Sequence, residues 1–454
     1  MDSKRRTFMK AVSAGTVGAV AGLAGCLGEE DADVDDFDLS SIEEADIDWE
    51  RHEGEDLTLG FVEHPFVDNF EPLESQFEDL TGMTLSWDVL PESEFRTQRD
   101  TDVTTEGGTW DVFMADQVVT QYYESDWIQP LDGYFDDDDL YDEEWYETDD
   151  IFEASVEACH AAGTADEWTG LPITVEALTL FYREDLYEEH SLEVPETMDE
   201  MLENIETIHE NEDMPGVVAR GERGYGMNIF ILNSYIRSWG GELWEEYPEE
   251  SGLDSDEAIE AAEFYVDMLQ EYGPSDAASY EWSDALATMQ QGSAGHFAVD
   301  ANLFHGDLTD PDESPVAEDI GIAEMPVPEG GQFAPNAFTW QISTQQASDN
   351  PEAAWLFMLF ATSQEVQEWM GEQGAPFLTR ASAWETDEYR DHVGEEFADV
   401  SMNSLEDAIG DEFDVYYPEW GEEYSTELQA AIDGSQSAEE AMQNAAETAE
   451  DIVN

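Results

Sequence analysis

After Lys10 this chain contains no lysine at all. From Cys26 onward it carries nine arginines against 112 aspartates and glutamates, a formal charge near −103. At ordinary ionic strength so much like charge destabilises a compact state by self-repulsion. At about 1 M salt the Debye length falls to about 3 Å and the repulsion is largely screened. The composition therefore predicts a chain that folds and works in molar salt, as in extremely halophilic archaea, its carboxylates holding water at the surface. The same charge excludes nucleic acid as a partner, because phosphate binding needs a basic face. Where basic residues are so scarce, each arginine is expected to have a specific partner.

The remaining positive charge is concentrated at the start. Arg5-Arg6-Thr7-Phe8-Met9-Lys10 resembles a twin-arginine export motif, and an apolar, small-residue stretch follows from Ala11 to Ala24. That stretch is too short for a membrane-spanning helix of about 20 residues. It ends in Leu23-Ala24-Gly25-Cys26, which resembles a lipobox. Residues 1–25 thus read as an export signal, and Cys26 as a lipid attachment point holding the protein to the extracellular face of the cell membrane. Cys159, the other cysteine, is then left without a disulfide partner, so stability must come from an apolar core. Residues 26–56, rich in acids and poor in bulky apolar side chains, are expected to form a disordered tether.

From Leu57 short apolar strands alternate with amphipathic helices. Leu57–Val62, Met83–Leu90 and Trp110–Ala115 read as strands, and Asn69–Leu80 as a helix with Leu73, Phe77 and Leu80 on one face. This alternation predicts parallel α/β units. Thr197-x-x-Glu200 and Asp254-x-x-Glu257 have the spacing of capping boxes, and Asn350-Pro351 that of a helix start. A last amphipathic helix is expected from about Ala438 to Val453. The longest later apolar run, Ala353–Ala361, is too short to span a membrane.

Several stretches, taken in order, resemble the solute-binding proteins of ABC importers, the group that includes maltodextrin-binding proteins. They are Phe77-Glu78-Asp79-Leu80-Thr81-Gly82, Gly108-Thr109-Trp110-Asp111-Val112, Gly170-Leu171-Pro172 with Glu176-Ala177-Leu178, Tyr182-Arg183-Glu184-Asp185-Leu186, Pro195-Glu196-Thr197 and Gln291-Gly292-Ser293-Ala294-Gly295. Met198 and Ser293 depart from the tryptophan and lysine usual at their positions. Val218–Gly224, Tyr272-Gly273-Pro274, Val299-Asp300-Ala301 and Phe338-Thr339-Trp340 are similar to pieces of the sorbitol- and mannitol-binding branch. The resemblance implies a two-lobed, hinged α/β fold of the periplasmic-binding-protein kind, with the ligand cleft between the lobes. Lobe one is expected at 57–174 and 332–384, and lobe two at 175–331 and 385–454. It further implies a sugar or polyol ligand, an ABC permease as membrane partner, no cofactor and no catalysis.

A cleft for such a ligand needs carboxylate, amide and guanidinium groups for hydroxyls and aromatic planes for C–H faces. Glu176 and Asp300 are carboxylates set among apolar neighbours, where an acid needs a reason to be. Asp116 and Glu63 end apolar strands, at the carboxyl ends where α/β proteins bind ligands. Arg220 is one of the few arginines, and Trp282 and Trp340 are candidate stacking platforms. Asp136–Glu147 has a spacing similar to a calcium loop, but Tyr141 stands where glycine is needed, so it reads as a solvated acidic loop. No zinc-ligand spacing, P-loop, dinucleotide fingerprint or serine-hydrolase elbow is present. Two alternatives share these residues. A protein of the same fold can bind iron, through Tyr122-Tyr123 or Tyr416-Tyr417, or a polyamine. A secreted glycosidase would also place two carboxylates against a sugar.

Overall fold

The computed structural model describes residues 37–454 except 117, 162–166, 225 and 411–413. The export signal and Cys26 therefore lie outside the described residues.

Ten strands are described: β1 (Asp56–Val62), β2 (Thr84–Leu90), β3 (Val112–Ala115), β4 (Leu171–Arg183), β5 (Trp244–Glu246), β6 (Glu250–Ser251), β7 (His296–Ala301), β8 (Ile320–Glu324), β9 (Asn336–Thr344) and β10 (Ile409–Gly410). Eight of them form one sheet in the order β2-β1-β3-β9-β4-β7, with β8 also on β4 and β10 on β9, while β5 and β6 make a separate hairpin. The expected parallel pairing holds where β1 lies between β2 and β3. The centre differs, because β9 arrives from far along the chain and runs antiparallel to both β3 and β4.

Strand β4 organises the molecule. Its first half, Leu171 to Ala177, pairs with β9, and its second half, Leu178 to Arg183, pairs with β7 and β8. Where the partners change, the Ala177 N–H is taken by the Asn302 side-chain carbonyl at 3.1 Å. One large apolar cluster packs β1–β3, the first half of β4 and the Pro351–Ala361 helix. A second joins the Asn228–Ser238, Asp256–Tyr272, Tyr417–Ile432 and Ala438–Val453 helices.

Local signals mostly act as expected. Thr197 and Glu200 form a reciprocal capping box, and Met201, Ile205 and Ile208 are buried beneath that helix. Two details differ. Glu71-Pro72 breaks the expected Asn69–Leu80 helix into Pro65–Phe70, a 3₁₀ turn and Glu74–Thr81, since proline lacks the N–H that would continue it. The helix read as starting at Asp254 is capped instead by Ser255, whose hydroxyl accepts from the Ala258 N–H at 3.2 Å.

The disordered tether expected through residue 56 does not extend that far. Ser40–Glu44 and Trp49–His52 form short helical turns, with Ile42 and Trp49 buried. Trp49 meets Trp145 edge-on at 5.7 Å and its indole N–H donates to the Ile42 carbonyl at 2.9 Å. Three apolar side chains, Ile42, Ile47 and Trp49, dock this acidic segment by joining the large apolar cluster. No described helix is long and apolar enough to cross a membrane.

The arginines turn inward. Among the described residues Arg51, Arg96, Arg99, Arg183, Arg220, Arg223, Arg380 and Arg390 make ion pairs, and Arg237 donates to Asn336. Arg99, Arg183, Arg220, Arg237 and Arg380 are buried, an unusual place for arginine unless it is paired.

Candidate functional site

Opposite residues of an antiparallel pair share a face. Glu176 lies opposite Phe338 and Thr174 opposite Trp340, so these four side chains form one patch on the β4–β9 face. Arg96, from the Glu92–Thr104 helix, lies over this patch, its guanidinium carbon 5.1 Å from the centre of the Trp340 ring. Its Nε and one terminal nitrogen reach Glu92 at 3.0 and 2.9 Å, while the other terminal nitrogen donates to Asp116. Asp116 follows β3 and is also held by Arg99 at 3.1 Å. Burial pushes the Asp116 carboxyl upward, yet the two guanidiniums together outweigh it and hold the group below the usual aspartate range.

On the other side, Arg220 and Asp300 form a second buried pair. The Arg220 Nε lies 3.0 Å from both Asp300 oxygens, and a terminal nitrogen also donates to Oδ1. The remaining terminal nitrogen donates to the Gly226 carbonyl at 2.7 Å. Phe230 and Phe304 flank the guanidinium at 5.0 and 5.7 Å. Trp282 stacks on Phe304, with centroids 5.5 Å apart and planes 13° from parallel. Burial draws the Arg220 pKa down, but Asp300, and after it Glu176, reverse this and raise it.

Glu176 stands between the two pairs. Burial pushes its carboxyl up to about 8; Arg220 opposes this, and the negative charges of Asp300 and Glu92 add to it. At neutral pH the group is mainly protonated and can both donate and accept a hydrogen bond. Glu92 also raises Glu281, after burial, Glu222 and Asp284. The charges of both sides therefore meet around Glu176.

The structure thus gathers Glu176, Arg220, Asp300 and Trp282 on one side of the β4–β9 patch, and Asp116 with Trp340 on the other. Glu63 stands apart: it is exposed at the end of β1 and its backbone N–H pairs with Leu90. Asp300 is fully enclosed, and both its oxygens are taken by Arg220. Trp340 is only 5% exposed, which leaves little ring for a ligand to lie on. Residues missed from the sequence are Arg96, Glu92, Phe304 and Phe338. Arg96 had a usable signal, as one of only nine arginines after Cys26.

The tyrosine pairs do not converge on an iron site. Tyr122 is buried and donates to Asp100, while Tyr417 packs edge-on against Trp420 at 4.8 Å in the other apolar cluster. Among the described residues no group of three or more His, Cys, Asp or Glu is placed to hold a metal ion.

Polar and aromatic side chains thus meet where one long strand of an α/β fold changes partners. The chain belongs to the bacterial extracellular solute-binding protein family, whose model matches residues 67–368. It is 28% identical to a mannitol-binding protein of Pseudomonas aeruginosa over 364 residues, covering 77% of this chain and 79% of that protein. It is 24% identical to an erythritol/L-threitol-binding protein of Mycolicibacterium smegmatis over 331 residues, 70% and 69% of the two chains. A solute-binding protein of Agrobacterium vitis solved with bound D-mannitol superposes with a TM-score of 0.74 at 25% identity, covering 88% of this chain and 98% of that one.

Proposed function

We propose that this protein is the receptor of an ABC importer, that it takes a polyol or sugar between two lobes, and that it passes the solute unchanged to a membrane permease. Lobe one comprises 57–174 and 332–384 together with the docked segment 37–56, and lobe two 175–331 and 385–454. The carrying observation is the meeting of Glu176, Arg220, Asp300 and Trp282 at the partner change of β4, supported by relatives that bind mannitol and erythritol. Glu176 and Arg220 meet ligand hydroxyls, and Trp282, stacked on Phe304, borders them. Asp300 and Asp116 position arginines. Closure follows because a ligand touching both lobes binds the closed form better than the open one. Cys26 carries the lipid that keeps the receptor beside its permease.

The test is a thermal-shift screen of alditols, sugars, polyamines and Fe³⁺ in molar KCl, followed by recovery of the bound solute. A polyol or sugar should raise Tm and be recovered unaltered. A shift with Fe³⁺ or a polyamine alone, or recovery of a cleaved sugar, would replace this reading. Membrane fractionation of Cys26→Ser tests the anchor, the expected result being release from the membrane.

A further inference from the structure

A tryptophan in a sugar-binding cleft normally offers its flat face to the C–H face of a pyranose ring. Trp340 is placed for that role, on the same face of the sheet as Glu176 and only two residues from its opposite number Phe338. That face of the indole is already occupied. The Arg96 guanidinium lies over it at 5.1 Å, the arrangement in which a cation is held by the ring quadrupole. Two carboxylates pin Arg96 there, Glu92 at 2.9 and 3.0 Å and Asp116 through its other terminal nitrogen. Phe338 covers the Trp340 ring from another side, edge-on at 5.5 Å. Trp282 likewise has one face against Phe304. The patch where a ring sugar would lie flat is thereby turned into a polar one. A guanidinium held by carboxylates and the Glu176 carboxyl on the same face of the sheet suit a chain of hydroxyls rather than an apolar ring face.

We propose that Arg96 determines specificity in this cleft: by lying on Trp340 it excludes the flat face of a cyclic sugar and selects an acyclic polyol. This rests on the binding function proposed above and narrows its ligand class. A chain of hydroxyls bends along a polar surface and needs no aromatic floor, whereas a pyranose would have to displace a guanidinium held by two acids.

The test is calorimetric titration, in molar KCl, of D-mannitol, ribitol, D-mannose and maltose against the parent chain, Arg96→Ala, Arg96→Lys and the double variant Arg96→Ala/Trp340→Leu. The parent should bind one of the alditols at least about tenfold more tightly than either ring sugar, about 1.4 kcal/mol. Arg96→Ala should shrink that ratio about tenfold, chiefly by gaining ring-sugar affinity, and adding Trp340→Leu should remove the gain. Arg96→Lys keeps a charge for Asp116 but loses the planar cover, so it should shift the ratio the same way. It is also the variant to rely on where Arg96→Ala folds poorly. A parent that prefers a ring sugar or fails to discriminate, or a ratio unmoved in both Arg96 variants, overturns the inference while leaving the receptor function standing. A parent that binds neither class overturns both.

Discussion

The two sides of the β4–β9 patch each bury an aspartate against arginine, but in different proportions. Asp116 has two arginines, Arg96 and Arg99, and Arg96 has a second acid in Glu92. Asp300 has Arg220 alone, and the nearby Glu176 draws on the same guanidinium without forming an ion pair with it. One side is saturated and holds its carboxylate ionised. The other is one positive charge short, and the shortage is met by a proton on Glu176. With only nine arginines after Cys26, where a guanidinium is withheld matters as much as where one is supplied.

The largest expected effect separates both sides from the surface outside them. Buried pairs are screened little by salt, whereas the unpaired surface acids depend on it. Lowering KCl from molar concentration to about 0.1 M, where the Debye length grows to about 10 Å, should unfold the protein as read by circular dichroism. A fold unchanged in dilute buffer would mean that the surface acids are compensated within the protein.

Next in size is the cost of removing one arginine from each side. Arg220→Ala strands Asp300 without a counterion and should cost about 3–5 kcal/mol. Arg96→Ala leaves Asp116 with Arg99 at 3.1 Å, so its cost should stay near about 1 kcal/mol, closer to that of an exposed pair. Urea titration in molar KCl measures both. Equal losses would show that Arg99 does not stand in for Arg96.

Glu176 should matter to binding more than to folding. As a neutral group it contributes an ordinary hydrogen bond of about 0.5–1.5 kcal/mol, so Glu176→Ala should weaken ligand roughly twofold to tenfold. Glu176→Gln, which keeps a donor and an acceptor, should stay within about threefold of the parent. A Gln variant as weak as Ala would mean that the carboxylate form makes the contact.

The last test concerns pH dependence. The folded Glu176 keeps its proton up to about pH 8, well above the ordinary value of 4.5. Between those values the unfolded chain binds fewer protons at this site than the folded one, so this contribution falls as pH rises. It is fully present below about 4.5 and is lost as pH rises through about 8. Subtracting the Glu176→Gln profile from that of the parent isolates it from the other carboxylates, and a flat difference would place Glu176 ionised in the cleft.

Much of this was legible along the chain. The spacing of Met201, Ile205 and Ile208 marked a buried helix face, Thr197 and Glu200 marked its start, and the apolar run of β1 marked a strand, because each depends on neighbours within a few residues. The acids Glu176, Asp116 and Asp300 stood out as polar groups in apolar surroundings, and the fold brings all three around the β4–β9 patch. Their roles were not legible. Asp300 reads as a ligand contact until Arg220, eighty residues earlier in the sequence, is seen to take both its oxygens. Trp340 reads as a stacking platform until Arg96 is found lying on it. Likewise the acidic segment before residue 56 reads as a tether until Trp49 meets Trp145.

The sequence by itself determined the charge regime, the α/β alternation, several helix starts and the family, since composition and short-range pattern carry these. Only the tertiary structure decided which acid is paired and which is left protonated. Electrostatic energy depends on distance and burial in space, and the partners that set it come from strands and helices scattered along the chain. Nine arginines could have neutralised any nine of 112 acids. The fold placed three of them, Arg96, Arg99 and Arg220, around one patch and, among the described residues, left Glu176 without an ion-pair partner of its own.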